Sequence, residues 1–278
     1  MDIILVAAIS ITAIGSVCAA FLCIANKVMY VKVDERIAML EACMPGANCG
    51  ACGFPGCSGY AKALVADPKT RTNACPPGGA ALIKQISEIL GVAASEAVVT
   101  TAIVHCMGDV NATQKKMDYK GIQTCYAAKE IFGGAGTCPF GCLGYGDCEL
   151  VCPSNAICIE GGLARIQPNN CTGCGLCVKA CPTRIITIEK ETIPVAVLCS
   201  NIEKGAVARK NCAKACIACR KCVKECPAGA IAVEDNLARI DYEKCTGCGQ
   251  CAEPSVCMPR CIQLSAYSHK HGLVPSKV

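Results

Sequence analysis

Apolar and polar residues alternate along this chain in patterns that predict different elements. From Ile3 to Asn26 the run IILVAAISITAIGSVCAAFLCIAN carries no charged residue. As a helix rising about 1.5 Å per residue it would reach across a hydrocarbon core of about 30 Å. The pattern predicts a single N-terminal transmembrane helix within residues 1–28. A short amphipathic stretch, VDERIAMLEACMPG, follows. Farther on, AICIEGGLARI and AIAVEDNLARI alternate apolar and polar positions around Gly161–Gly162 and Asp235–Asn236. Period two around such turn formers predicts short β-hairpins.

Charge refines the reading of the apolar run. A cleaved signal peptide would need a basic stretch ahead of it, and the only charged side chain there is Asp2. An uncleaved anchor is therefore expected. Lys27 and Lys32 follow directly, which by the positive-inside rule puts the rest of the chain on the cytoplasmic face of the cell membrane. Cys18 and Cys23 lie within the run and read as small apolar side chains.

Cysteine decides the rest. The chain has 278 residues, 29 of them Cys, near the level at which something other than a packed core organises a fold. Disulfide scaffolds spread Cys among the loops of short secreted chains. Here the Cys fall in tight CxxC runs, the mark of thiolates gathered around metal. A reducing cytoplasmic side agrees with that. Aromatic residues are 4% and Trp is absent, so several small metal-stapled units are expected instead of one large core. A net charge of +5 without a basic block gives nucleic-acid binding no support.

The first cluster is NCGACGFPGCSGYAKALVADPKTRTNACPPGG, with Cys49, Cys52, Cys57 and Cys75. Four thiolates make one complete site, and Gly50, Gly53, Gly56 and Pro55 let the backbone turn tightly enough for three sulfurs to converge. Structural zinc also uses CxxC pairs. The CxxCxxxxC spacing with one distant partner, in a chain rich in further iron–sulfur motifs, points to a [4Fe-4S] cluster.

Beyond residue 124 the chain repeats itself. Cys125, Cys138, Cys142, Cys148, Cys152, Cys171, Cys174 and Cys177 return as Cys199, Cys212, Cys216, Cys222, Cys226, Cys245, Cys248 and Cys251, and LARIQPNNCTGCGLC answers LARIDYEKCTGCGQC. Such self-similarity marks a duplicated unit. Each unit is built on the CxxCxxCxxxCP run of bacterial ferredoxins, clearest at CTGCGLCVKACP and CIACRKCVKECP. In these runs three Cys hold one cluster and the fourth reaches across to the other.

The crossing rule pairs Cys216, Cys219 and Cys222 with Cys257, and Cys245, Cys248 and Cys251 with Cys226. Cys257 stands two residues beyond the place of Cys181, which a two-residue insertion at Glu253–Pro254 explains. Cys261 competes with it for the ligand role. In the first unit Cys171, Cys174 and Cys177 pair with Cys152. That leaves Cys142, Cys148 and Cys181 one ligand short, because Tyr145 occupies the place of Cys219. Cys138 is the nearest substitute; a three-iron cluster is the alternative. Five quartets result, and Cys106, Cys125, Cys199 and Cys212 are candidates for a sixth site, with buried free thiols as the alternative.

The predicted fold class is α+β: an anchor at 1–28, a small four-Cys [4Fe-4S] domain at 32–95 and a connecting segment at 96–135. Two tandem two-cluster ferredoxin modules follow at 136–195 and 196–270, with a tail at 271–278. A row of redox clusters argues for electron relay over catalysis, since most sites have all four thiolates. No haem or dinucleotide motif is present. His105, beside Cys106, is expected to serve a surface or packing role, with contact to a cluster as the alternative.

PGANCGACGFPGCSGYAKA, CPPGG and FGCLGYGDCELVCP, set between an apolar N-terminus and duplicated ferredoxin motifs, resemble the B subunits of the Rnf complex. That family belongs to membrane-bound ferredoxin:NAD+ oxidoreductases that translocate Na+ or H+. The resemblance implies that soluble ferredoxin delivers electrons, that flavin-bearing and multi-span membrane subunits are partners, and that this chain is an electron relay within the enzyme. An iron–sulfur subunit of a hydrogenase or dehydrogenase, and a zinc-stapled interaction protein, are the rival readings.

Overall fold

The structure is a computed structural model and describes residues 2–28, 34–96 and 99–265. Lys32 and the tail at 271–278 lie outside the described residues. Helix α1 runs Asp2–Val28. Its large described side chains, among them Leu5, Ile9, Ile14, Phe21 and Ile24, are all exposed. Among the described residues no helix is long and apolar enough to cross a membrane, and the described side chains of α1 are unbroken only from Ile11 to Lys27.

Three helices then form a small domain: α2 (Glu35–Cys43), α3 (Gly56–Ala66) and α4 (Gly79–Leu90). Asp34 caps α2 by accepting the Arg36 N–H at 2.9 Å, satisfying one of the orphan donors of the first turn. Gly91 ends α4 in the left-handed conformation, which suits a residue without Cβ. Leu40, Tyr60, Leu64, Leu82 and Ile86 pack between the helices, each 4% exposed or less. The Tyr60 hydroxyl is satisfied by donating to the Arg71 carbonyl at 2.6 Å.

The rest of the described chain is built from two-stranded sheets and very short helices. In order come β1 (Thr100–Val104), α5 (Cys125–Glu130), α6 (Asp147–Leu150), β2 (Ile157–Glu160), β3 (Leu163–Ile166), α7 (Leu176–Ala180) and β4 (Ile186–Lys190). Then follow β5 (Val195–Val197), α8 (Gly205–Asn211), α9 (Lys221–Lys224), β6 (Ile231–Glu234), β7 (Leu237–Ile240) and β8 (Ile262–Leu264). The sheets are β1 with β4, β2 with β3, β5 with β8 and β6 with β7, all antiparallel. β2–β3 and β6–β7 are the expected hairpins. Both central residues of each turn, Gly161 and Gly162 in one and Asp235 and Asn236 in the other, have positive φ, as the turn that matches strand twist requires.

Two cores result. One holds Ala102, Val104, Ile157, Leu163 and Ile186; the other holds Val195, Val197, Ile231, Leu237 and Ile262. Each is thin, and the buried Cys fill much of the remaining volume.

The segment at 96–135 is more than a connection. It carries β1, which pairs with β4 from Thr100 opposite Lys190 to Val104 opposite Ile186. β5 and β8 repeat the arrangement in the second module. After each leading strand the backbone bonds in the same way: His105 N–H donates to the Ile185 carbonyl at 2.7 Å, and Leu198 N–H to the Cys261 carbonyl at 2.6 Å. In space, therefore, Cys106 corresponds to Cys199 and Ile185 to Cys261. The constant sequence offset pairs Cys125 with Cys199, and the structure does not. The chain between Cys106 and Cys138 is longer than that between Cys199 and Cys212, and the excess forms the loop that carries α5.

Candidate iron–sulfur sites

In the three-helix domain the loop before α3 presents Cys49 and Cys52, the first turn of α3 presents Cys57, and Cys75 precedes a short 3-10 turn at Pro76–Gly78. Asn48 fixes this loop: its Oδ1 accepts the Cys57 N–H at 2.8 Å. Gly56 has φ of +84°, and a Cβ there would stand 2.8 Å from that same oxygen. Burial pushes the Cys75 thiol up, and Cys52, Cys49 and Cys57 add to the shift, so the four sulfurs face one another.

The ferredoxin-like modules bring together further sets. Cys177 meets Cys171, Cys174 and Cys152; burial pushes its thiol up to about 12, with those three neighbours adding to it. Cys251 is pushed up to about 12 in the same way, by burial first and then by Cys245, Cys248 and Cys226. Cys222 is raised by burial and then by Cys216, Cys219 and Cys257. Cys261 also lines the cavity of this last set.

The remaining set in the first module is Cys142, Cys148, Cys181 and Cys125, which line one cavity. The fourth thiol beside the other three is thus Cys125, supplied by α5, and not Cys138. Thr124 caps α5 by accepting the Ala127 N–H at 3.2 Å, and Asp147 accepts the Cys125 N–H at 2.9 Å. The ring of Tyr145 packs edge-on against Tyr119 of the same loop, with centroids 5.7 Å apart. Linear spacing could not reveal this partner; the sole hint was a Tyr where a ligand was due. Cys138 instead lines a cavity with Cys106, Cys199 and Cys212.

Several of these sulfurs accept backbone N–H bonds. Cys171 accepts from Ala102 at 3.4 Å, Cys152 from Ala156 at 3.3 Å, Cys226 from Ala230 at 3.4 Å and Cys257 from Ile262 at 3.4 Å. Donors aimed at sulfur favour the thiolate. A coordinated metal deprotonates a thiol outright, and such donors suit the ligand it leaves. Among the described residues no three Cys, His, Asp or Glu side chains draw close enough for a single metal ion. A tetrahedral zinc site would hold every sulfur about 2.3 Å from one ion. An iron–sulfur cluster interposes its own iron and sulfide between the thiolates, and thiols ringing a cavity fit that larger group.

His105 binds the modules to each other. Its Nδ1 donates to the Val197 carbonyl at 2.7 Å, so in the neutral ring Nε2 accepts from the Thr187 hydroxyl at 2.8 Å. Cys158 stands apart in β2, its thiol 3.6 Å from Glu160 Oε1.

Comparison with known proteins agrees with this geometry. The family model described as "Putative Fe-S cluster" matches residues 44–77, and two models described as "4Fe-4S dicluster domain" match 140–185, 170–230 and 209–257. The chain is 43% identical over 242 residues to the B subunit of the Na+-translocating ferredoxin:NAD+ oxidoreductase complex of Acetobacterium woodii, covering 87% of this chain and 72% of that one. It is 38% identical to the B subunit of the proton-translocating counterpart in Clostridium ljungdahlii, covering 94% and 91%. With the B subunit of the ion-translocating oxidoreductase complex of Methanosarcina acetivorans it shares 37% identity, over 95% and 100%. With relatives this similar over most of both chains, and with four-thiol sites in each module, the chain belongs to the family of iron–sulfur B subunits of the Rnf complex.

Proposed function

We propose that this chain is the electron-transfer subunit of a membrane-bound ferredoxin:NAD+ oxidoreductase that translocates Na+ or H+. It takes electrons from reduced ferredoxin and relays them towards the flavin-bearing and multi-span membrane subunits. The observation that carries the reading is the succession of four-thiol sites, one in the three-helix domain and two in each ferredoxin module. Bound there, [4Fe-4S] clusters take up and release single electrons.

The chain's own residues give each site its character. The proposed ligands are Cys49, Cys52, Cys57 and Cys75; Cys125, Cys142, Cys148 and Cys181; Cys152, Cys171, Cys174 and Cys177; Cys216, Cys219, Cys222 and Cys257; and Cys226, Cys245, Cys248 and Cys251. Cys125 thus replaces Cys138 in the set expected from sequence. Backbone N–H groups hold the sulfurs as acceptors, and the core of each module packs against the Cys of both its sites.

α1 supports the membrane part of the proposal. Its large described apolar side chains are exposed, and a bilayer would supply the apolar surrounding they favour. Lys27 and Lys32, which follow the apolar run in sequence, support a cytoplasmic side for the cluster domains by the positive-inside rule.

Anaerobically purified chain is expected to be brown, with iron and sulfide each at about 20 atoms or more per chain, and to be reduced by reduced ferredoxin. Cys174→Ser and Cys219→Ser should each abolish onward transfer of those electrons while leaving membrane attachment intact. Colourless protein containing zinc would overturn the proposal.

A further inference from the structure

We propose that Cys106, Cys138, Cys199 and Cys212 hold a sixth [4Fe-4S] cluster at the boundary between the two ferredoxin modules. The inference rests on the iron–sulfur reading above and extends it to a site that no linear motif in the chain describes.

The four thiols line one cavity. Gly108 shows how closely they face it: a Cβ on this residue would stand 3.3 Å from Cys212 Sγ and 3.6 Å from Cys106 Sγ. The thiols come as two equivalent pairs. Cys106 and Cys199 each follow the leading strand of a module, β1 and β5, and Cys138 and Cys212 each precede the module's first ligand run.

The hydrogen bonds repeat across the boundary. Cys106 Sγ accepts from the N–H of Gly108, two residues on, at 3.4 Å, and from Cys142 N–H at 3.4 Å. Cys199 Sγ accepts from the N–H of Asn201, two residues on, at 3.5 Å, and from Cys216 N–H at 3.3 Å. The Asn201 side chain, 1% exposed, donates from Nδ2 to Cys138 Sγ at 3.5 Å. A coordinated metal deprotonates a thiol outright, and donors so placed suit the sulfurs of a metal-bound set. Cys158 is the contrast: a single thiol facing a carboxylate, with no backbone N–H aimed at it in the described structure.

The surroundings hold the two halves in register. Thr113 and Thr137 both donate to the Asn211 carbonyl, at 3.0 and 2.8 Å. Ala213 N–H donates to the Ala112 carbonyl at 2.8 Å, and Lys214 pairs with Asp109 at 3.2 Å. The site also connects its neighbours. Cys142 and Cys216, whose N–H groups reach its sulfurs, are themselves proposed ligands of the adjacent clusters, so one hydrogen bond separates it from each module. A one-electron carrier there would join the two modules into one path.

The test is iron and acid-labile sulfide in the anaerobically reconstituted full chain, expected at about 24 atoms of each per chain in place of about 20. Cys138→Ser and Cys212→Ser should each remove about four irons and one component of the reduced-state EPR spectrum, while Cys158→Ser removes none. Cys174→Ser serves as the internal control. If it removes about four irons and the boundary variants remove none, this inference fails and the relay reading stands. If Cys174→Ser also removes none, the relay reading fails with it. Should a boundary variant unfold and lose further clusters, the unmodified chain decides: about 24 irons supports the site, while about 20, with or without one zinc, overturns it.

Discussion

Cys261 Sγ lies 3.6 Å from Cys257 Sγ, in the place that Ile185 fills in the first module. Bonds to Cys216 and Cys257, together with burial, push the Cys261 thiol far up, and the bond from Cys261 brings Cys257 down to about 6. With Cys257 as the proposed ligand, Cys261 is the thiol that faces it across that contact.

Cys261→Ala is accordingly expected to keep the iron content while making the potential of that cluster more negative. A hydrogen bond worth about 1 kcal/mol corresponds to ~40 mV for one electron. Cys257→Ala should lose the cluster. A potentiometric titration followed by EPR separates the two, and loss of iron from Cys261→Ala would reassign the ligand.

Cys125 and Tyr145 define a second expectation. Cys125→Ser should turn the Cys142, Cys148 and Cys181 site into a three-iron cluster or empty it. Adding Tyr145→Cys should restore four irons, since the second module places Cys219 at that point of the same turn. Gly144 and Gly146 have positive φ, as do Ala218 and Arg220, so the backbone there is already that of a ligand run. The signal to follow is the oxidised three-iron EPR line; its persistence in the double variant would show that position 145 cannot reach the site.

Gly56→Ala should weaken the three-helix domain by about 1–3 kcal/mol, the range for a side chain held at positive φ with added crowding. The Asn48 carboxamide that holds the Cys57 N–H would be displaced. Thermal unfolding and the rate of iron loss to a chelator both report on this, and the ferredoxin modules should be unaffected.

Asp109 and Lys214 join the modules across the boundary, with side chains 17% and 35% exposed. The hydrogen bond from Lys214, aided by the N–H groups of Asn111 and Ala112, holds the Asp109 carboxyl below its usual range. A depressed carboxylate contributes stability above its unfolded value near 4 and loses it as pH falls through the folded one. Asp109→Asn should cost about 0.5–1 kcal/mol, discounted for solvent screening. The gap in unfolding temperature from the unmodified chain should hold from about pH 8 to about pH 5 and close below about pH 4. A gap that widens in acid would refute the assignment.

Local spacing determined much of this protein. The CxxC runs group three thiols on one turn through residues at positive φ, glycines in most runs and Ala218 and Arg220 in one. Alternation placed both hairpins, since strands and two-residue turns are local events, and an unbroken apolar stretch gave α1. What no spacing contains is which distant thiol completes a set. Cys125 and Cys138 are both close in sequence to the incomplete run, and only the path of the loop carrying α5 sends one to Cys142 and the other to the boundary. The same holds for Cys106 and Cys199, which share neither motif nor constant offset. They become equivalent because β1 pairs with β4 as β5 pairs with β8, and strand pairing between remote segments is decided by the packing of the whole module.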